Sequence, residues 1–394
     1  MSSEKSYLGE FTFINEAVSS EFESLIDEVS GLKTERLVIK SINLPYIEMG
    51  YCPGEGLKII TWNRRKNNPL GEFLGLDLNN LSELKNFIHK YGFIYPISQE
   101  KYCPVDIEEL HSIQERLKAF INLINNQNKS QIEYRELFDS TLYLLLRKYS
   151  TTTYKKSKFL PTNSALQNQL DAAVTPLTKD HSAVKTVSVE GQAQLRLSKY
   201  SESLNKMIEF DLLDAQQIMQ DENTPHWCKR IFNLFYSLDN LVFTDELNKK
   251  IDFLFGCIYL LNPFYSEQVK IKETFSDAIY ENIEVLPHFT EYLLEVSKIT
   301  IREEFERMLD DIHFTYNTET MAPDWKLPSL ISALYFSIYY KNSKNVIYRV
   351  CQNDYCKQYF EVSSTNSTKR HCSDNCRDSK NARIMRQRKK QENN

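Results

Sequence analysis

"CQNDYCKQYFEVSSTNSTKRHCSDNC", residues 351–376, holds four of the eight cysteines of a 394-residue chain. They form two close pairs, Cys351-x4-Cys356 and Cys372-x3-Cys376, separated by fifteen residues. Two such pairs can each supply two corners of a thiolate tetrahedron around zinc, provided the chain between them folds back. The intervening sequence is suited to that. "VIYRVC" (346–351) and "QYFEV" (358–362) alternate as two short strands, "STNSTK" turns the chain, and "RHC" returns the second pair. A module of about fifty residues has too little core to stand alone, and a structural metal is a usual support. Four cysteines close the coordination shell, so the expectation is one structural Zn2+ per chain, held by Cys351, Cys356, Cys372 and Cys376. His371 adjoins the second pair and is expected to pack over the site or face solvent.

Beyond the cysteines lies "SDNCRDSKNARIMRQRKKQENN" (373–394). Ser373 or Asp374 can cap a helix, and no Pro or Gly interrupts the residues after them. Such a helix has little apolar stripe to bury. From Lys369 onward, nine Lys and Arg oppose three acids, a net +6, which leaves −11 on the first 368 residues of a chain at −5. An acidic body with a basic tail suggests that the tail alone meets a polyanion. The candidate nucleic-acid contacts are Lys369, Arg370, Arg377, Lys380, Asn381, Arg383, Arg386, Arg388, Lys389 and Lys390. Arginine can read guanine bidentately and asparagine can read adenine, while most contacts of such a helix would go to phosphates.

The segment 348–390 resembles the C-terminal zinc-ribbon module of bacterial CGNR-type proteins and the broader set of CS-x-x-C-R fingers. That family has a first cysteine pair, an aromatic shortly after it, a Ser/Thr/Arg-rich turn, a "CS" pair and an Arg-rich helix. Its members are described as transcriptional regulators with the finger as their DNA-binding part. The resemblance implies that Cys351, Cys356, Cys372 and Cys376 ligate zinc, that Phe360 is the packed aromatic, and that Arg377, Arg383, Arg386 and Arg388 form the basic helix. Here Arg-Asp-Ser follows Cys376 in place of Gly-Asn-Arg, and the second pair is one residue tighter than the type form. The stretch 71–96 also resembles the N-terminal part of bacterial proteins with such fingers.

The rest of the chain reads as mainly α, α+β overall. It divides into a mixed α/β N-terminal region (1–150), a linker or insertion (151–194), a helical domain (195–345), and the zinc ribbon with its basic helix (346–394). "FTFINEAVSSEFESLIDEV" (11–29) has the spacing of an amphipathic helix. Residues 36–44 and 57–62 are β-branched and read as strands around a turn at "YCPGEG". Helices are expected over 79–92, with Gly92 past the end, over 106–127 and over 132–150. Further helices are expected through 195–318, including 286–314, and over 330–340, where Leu330, Ile331, Leu334, Tyr335, Ile338 and Tyr339 form one apolar stripe.

Apolar residues make up 41% of the chain, enough for a sizeable core. The longest apolar runs, 251–261 and 329–340, are too short to span a bilayer. With no secretory signal at the N-terminus, the expected place is the cytoplasm, without membrane association. Thiols stay reduced there, so clustered cysteines point to metal and not to disulfides. Ten glycines, no G-x-G-x-x-G and no G-x-x-x-x-G-K-[ST] argue against phosphate-loop chemistry. No H-E-x-x-H, G-x-S-x-G or zinc-deaminase signature is present, and no catalytic residue is assigned. "EEFERMLDD" (303–311) reads as a solvated helix face.

The leading expectation is a nucleic-acid-binding protein, a DNA-binding transcriptional regulator anchored by its zinc finger. DNA or RNA would be the partner, a homodimer would raise affinity, and the helical body would sense a ligand or partner. Two alternatives stand beside it. One is an enzyme or toxin-like effector with its active site in the body. The other is a protein-docking zinc module whose Arg383 and Arg386 would be buried against carboxylates.

Overall fold

A computed structural model describes residues 11–26, 33–52, 56–60, 67–129, 131–146, 289–318, 321–340, 346–363 and 368–392, with short helical stretches between 229 and 257. The fold is α+β and mainly helical, with a curled antiparallel sheet near the N-terminus. The chain forms two compact units. The first comprises residues 1–130, 150–160 and 304–394, and the second comprises 131–149 and 161–303.

In the first unit, β1 (Phe11–Ile26), β2 (Lys33–Cys52), β3 (Gly56–Ile59) and β4 (Cys103–Pro104) form one antiparallel sheet. β2 is central. β1 pairs along one of its edges, while β3 and β4 pair with opposite ends of the other. The expected helix over 11–29 is therefore a strand as far as Ile26. Its register shifts between Glu16 and Ala17, where residues 43–45 of β2 loop out of the pairing. Buried pairs run Phe11/Tyr51 and Phe13/Met49 on one side of the shift, then Val18/Ser41 and Ser20/Ile39 on the other. The inward positions of β1 thus change from odd to even numbers. That change turns a period of two into something that mimics helical spacing. Ile14, Phe22 and Leu25 are exposed.

Three helices with side-chain caps follow. α1 (Pro69–Gly75) has Pro at its first position, and the Asn68 side chain accepts from Gly71 N–H at 2.9 Å. α2 (Leu81–Tyr91) is capped by Asn80, whose side-chain oxygen accepts from Glu83 N–H and whose amide donates to the Glu83 carboxylate, and it ends at Gly92, whose φ of 77° lies in the left-handed region. α3 (Ile107–Asn128) starts at Asp106, which accepts from Glu109 N–H, and buries Ile113, Leu117, Phe120, Ile121 and Ile124 as its spacing requires. α4 (Tyr134–Leu146) lies in the second unit.

α5 (Phe289–Leu309) stops short of the expected 314. His313 and Phe314 instead open the hairpin of β5 (His313–Asn317) and β6 (Ala322–Lys326). α6 (Leu330–Tyr340) has the expected position. It is buried on nearly all sides through Ile338, and Tyr339 is exposed in place of completing a stripe. Phe336 and Tyr340 pack on Phe11 of the sheet, which stacks on Tyr51 with ring centroids 5.0 Å apart. The carboxylate run 303–311 is not wholly solvated. Glu304 is 1% exposed and takes a bidentate Arg116 guanidinium at 2.7 and 2.8 Å, plus the Tyr335 hydroxyl at 2.9 Å.

In the second unit, Phe138 of α4, Phe253 and Phe289 form an aromatic cluster with centroids 5.6–6.2 Å apart. Arg302 pairs with Glu246, and Lys250 with Glu303, along the same unit. The expected linker at 151–194 and most of the helical text of 195–288 lie outside the described residues. Among the described residues, no helix is long and apolar enough to cross a membrane.

Candidate metal centre and basic helix

The two strands read around the first cysteine pair form as expected. β7 (Val346–Val350) and β8 (Tyr359–Ser363) pair from Val346/Ser363 to Val350/Tyr359. The knuckle between them begins where Cys351 N–H donates to the Gln358 carbonyl at 2.9 Å. Asn353 shapes it. Its carbonyl accepts from Cys356 N–H at 2.8 Å, and its side-chain oxygen accepts from Tyr355 N–H at 3.3 Å. Lys357 then takes a positive φ of 48° to leave the turn. The second pair arrives on another element. Cys372 precedes α7 (Asp374–Glu392), and Cys376 lies in its first turn, where its N–H donates to the capping Ser373 hydroxyl at 3.3 Å.

All four Sγ atoms lie within 4.8 Å of one another, a group that can hold a metal ion. Cys356 and Cys372 approach to 3.6 Å between sulfurs, and Cys372 and Cys376 to 3.3 Å. A zinc–sulfur tetrahedron with bonds of about 2.3 Å has edges of about 3.8 Å, so the cluster fits such an ion with small adjustment. Cys351 is buried against Phe360 and Val362, the other three cysteines pack on that cluster, and Cys372 N–H points at Cys351 Sγ at 3.5 Å. Without a metal, Cys356 and Cys372 resist ionisation. Burial pushes the Cys356 thiol up from 9.0 to about 11, and burial together with the neighbouring thiols raises Cys372 further. Burial also opposes ionisation of Cys376, but hydrogen bonds from Cys372, Ser373 and the other thiols outweigh it and hold that thiol below its usual value. A divalent cation at the centre reverses this balance by stabilising every thiolate at once.

Within the first unit, the module is seated on α1 and α3. Asn125 of α3 bonds both ways to the Tyr348 backbone, donating to its carbonyl at 2.9 Å and accepting from its N–H at 2.8 Å. Asn68 donates to the Tyr359 carbonyl at 2.9 Å. Gly71 lies so close to β8 that a Cβ there would stand 1.9 Å from the Tyr359 oxygen. His371 is half-buried with its Nε2 shielded from solvent.

The basic helix extends through Glu392. Its cations divide into two groups. Those near the cysteine cluster are engaged locally. Arg377 pairs with Asp374 and Asp378, at 3.0 and 3.1 Å. Lys380 donates to the Gln352 carbonyl. Arg383 donates to the Asn353 side chain and stacks over the Tyr355 ring, 4.0 Å from its centroid. Arg386, Arg388, Lys389 and Lys390 are exposed, as is Asn381. Lys369 and Arg370 are exposed ahead of the second pair, Lys369 standing over the Phe360 ring and Arg370 accepting from Gln352 N–H through its carbonyl. Among the described residues, Arg383 meets an amide and an aromatic ring.

Sequence reasoning misses Asn353 and Tyr355. Asn353 is 4% exposed, and its amide nitrogen also reaches the Cys376 carbonyl at 3.0 Å, tying the first knuckle to the start of α7. An asparagine inside a short cysteine loop is the signal that marks such a turn. Searches of protein families, curated proteins and solved structures return no match to this chain. The resemblance to CGNR-type ribbons rests on the cysteine spacing, the hairpin and the basic helix alone.

Proposed function

We propose that this chain is a nucleic-acid-binding protein whose C-terminal four-cysteine module holds one structural zinc and presents α7 to phosphates. The observation that carries the reading is the division of labour along α7. Its first turns are fixed to the metal site through Cys376, Lys380 and Arg383, while Arg386, Arg388, Lys389 and Lys390 project exposed beyond. Zinc, when bound, neutralises the thiolates and locks the two cysteine pairs together. The chain's own residues then set the root of the helix and hold its free cations toward a polyanion. The acidic remainder of the chain keeps other surfaces off the same partner. A DNA-binding transcriptional regulator is the form of this function that the sequence favours, with dimerisation raising affinity through effective concentration.

Elemental analysis of the full chain, paired with a salt titration of nucleic-acid binding, tests the reading. One zinc per chain is expected, and binding should weaken log-linearly with salt. Arg386→Ala with Lys390→Ala should reduce the salt slope by roughly 1 to 2 while zinc content is unchanged. A chain without metal would end the zinc assignment. Stoichiometric zinc with no binding to any nucleic acid would end the role of α7 as an anchor.

A further inference from the structure

We propose that Tyr355 is a stacking platform for an unpaired nucleobase, so that the partner of the module is single-stranded nucleic acid. The inference rests on the nucleic-acid reading above and names the form of nucleic acid that the site takes. Tyr355 is 83% exposed, the highest value among the large hydrophobic side chains of the described residues. It is nonetheless held in place. Its N–H is bonded to the Asn353 side chain, in the knuckle between two metal-ligand positions. One face of its ring is backed by the Arg383 guanidinium, which the same Asn353 side chain positions. The other face is open to solvent.

A fixed, solvated aromatic ring contributes little to folding, because its apolar surface stays in water. It is what a base needs for stacking, and a cation behind the ring strengthens the contact. Inside a duplex, both faces of a base are already stacked on neighbours, so only an unpaired or splayed base can use the ring. The surroundings agree. Arg386 and Lys390 follow Arg383 on one helix face, about 4.5 and 10.5 Å further along at the rise of an α-helix. They are placed to meet phosphates flanking a base on Tyr355. Arg383, one of the ten nucleic-acid contacts expected from sequence, is itself engaged by Tyr355 and Asn353.

The test uses the zinc-loaded full chain and fluorescence anisotropy with short mixed-sequence single-stranded DNA, single-stranded RNA and duplex DNA. Single strands should bind more tightly than duplex at the same salt. Tyr355→Ala should weaken single-strand binding by about 5- to 100-fold and leave duplex binding within about twofold, and Tyr355→Phe should keep the single-strand affinity. Zinc content of each variant reports that the knuckle is intact. Equal loss on RNA and DNA supports a site for base and phosphate, and a larger loss on RNA supports the same site with added ribose contact. Single-strand binding that Tyr355→Ala leaves unchanged, or equal wild-type affinity for duplex and single strand, overturns the platform but spares the phosphate-binding role of α7. Failure of the wild-type chain to bind any of the three overturns both.

Discussion

Cys356 shows how one thiol can report on the whole centre. In the metal-free fold, burial raises it to about 11, and Cys372 moves the same way. A thiol raised by folding favours the native state while both folded and unfolded forms are protonated. That contribution is lost as pH climbs from the ordinary thiol value toward the folded one. Cys376, held low, opposes the trend but is outnumbered. The metal-free protein is therefore expected to lose stability between about pH 8.5 and 11, whereas the zinc-loaded protein, with thiolates already formed, is not. Urea midpoints across that range, with and without chelator, decide the matter; parallel curves would mean that the thiols do not form one group.

Among the elements, α1 makes the sharpest claim. A Cβ on Gly71 would meet the Tyr359 carbonyl at 1.9 Å, a backbone atom that cannot swing aside, whereas on Gly50 it would meet only the Ile60 side chain at 3.1 Å. Gly71→Ala should cost about 1–3 kcal/mol or more, and Gly50→Ala well under that. Chemical unfolding of the two variants makes the comparison; equal midpoints would show that β8 is not pressed on α1. The same scale shows what can be read in the sequence. α2 and α3 are legible because caps and apolar spacing agree within each segment, and α6 because an unbroken apolar run fills it. β7 and β8 are legible because the cysteines fix their turn. β1 is not, because a strand's partner lies elsewhere in the chain, and its shift at Glu16/Ala17 erases the period of two. The cysteine cluster is visible in full, but the engagement of Arg383 is not, since nothing local ties it to Asn353 and Tyr355.

At the scale of the molecule, the Arg116–Glu304 pair joins α3 to α5 inside the first unit, with Tyr335 of α6 as a third partner. Removing one member takes from a buried charge its opposite-charge partner of this pair. Arg116→Ala or Glu304→Ala should cost about 3–5 kcal/mol, and a combined replacement by apolar residues of similar volume much less. Denaturant titrations of the single and double variants measure this; a single variant with an unchanged midpoint would place the pair in water.

The ribbon has no slack at its base. Asn68, Asn125 and Gly71 bolt its two strands to α1 and α3, and Asn353 carries that seat through to the root of α7. α7 is thus a cantilever of nineteen residues, about 28 Å long. A tilt of about five degrees at its root would sweep the far end by roughly 2.5 Å for that length. Whatever re-seats α1 or α3 is geared up along the arm, so small repacking near the hairpin becomes a displacement of Lys389 and Lys390 several times larger.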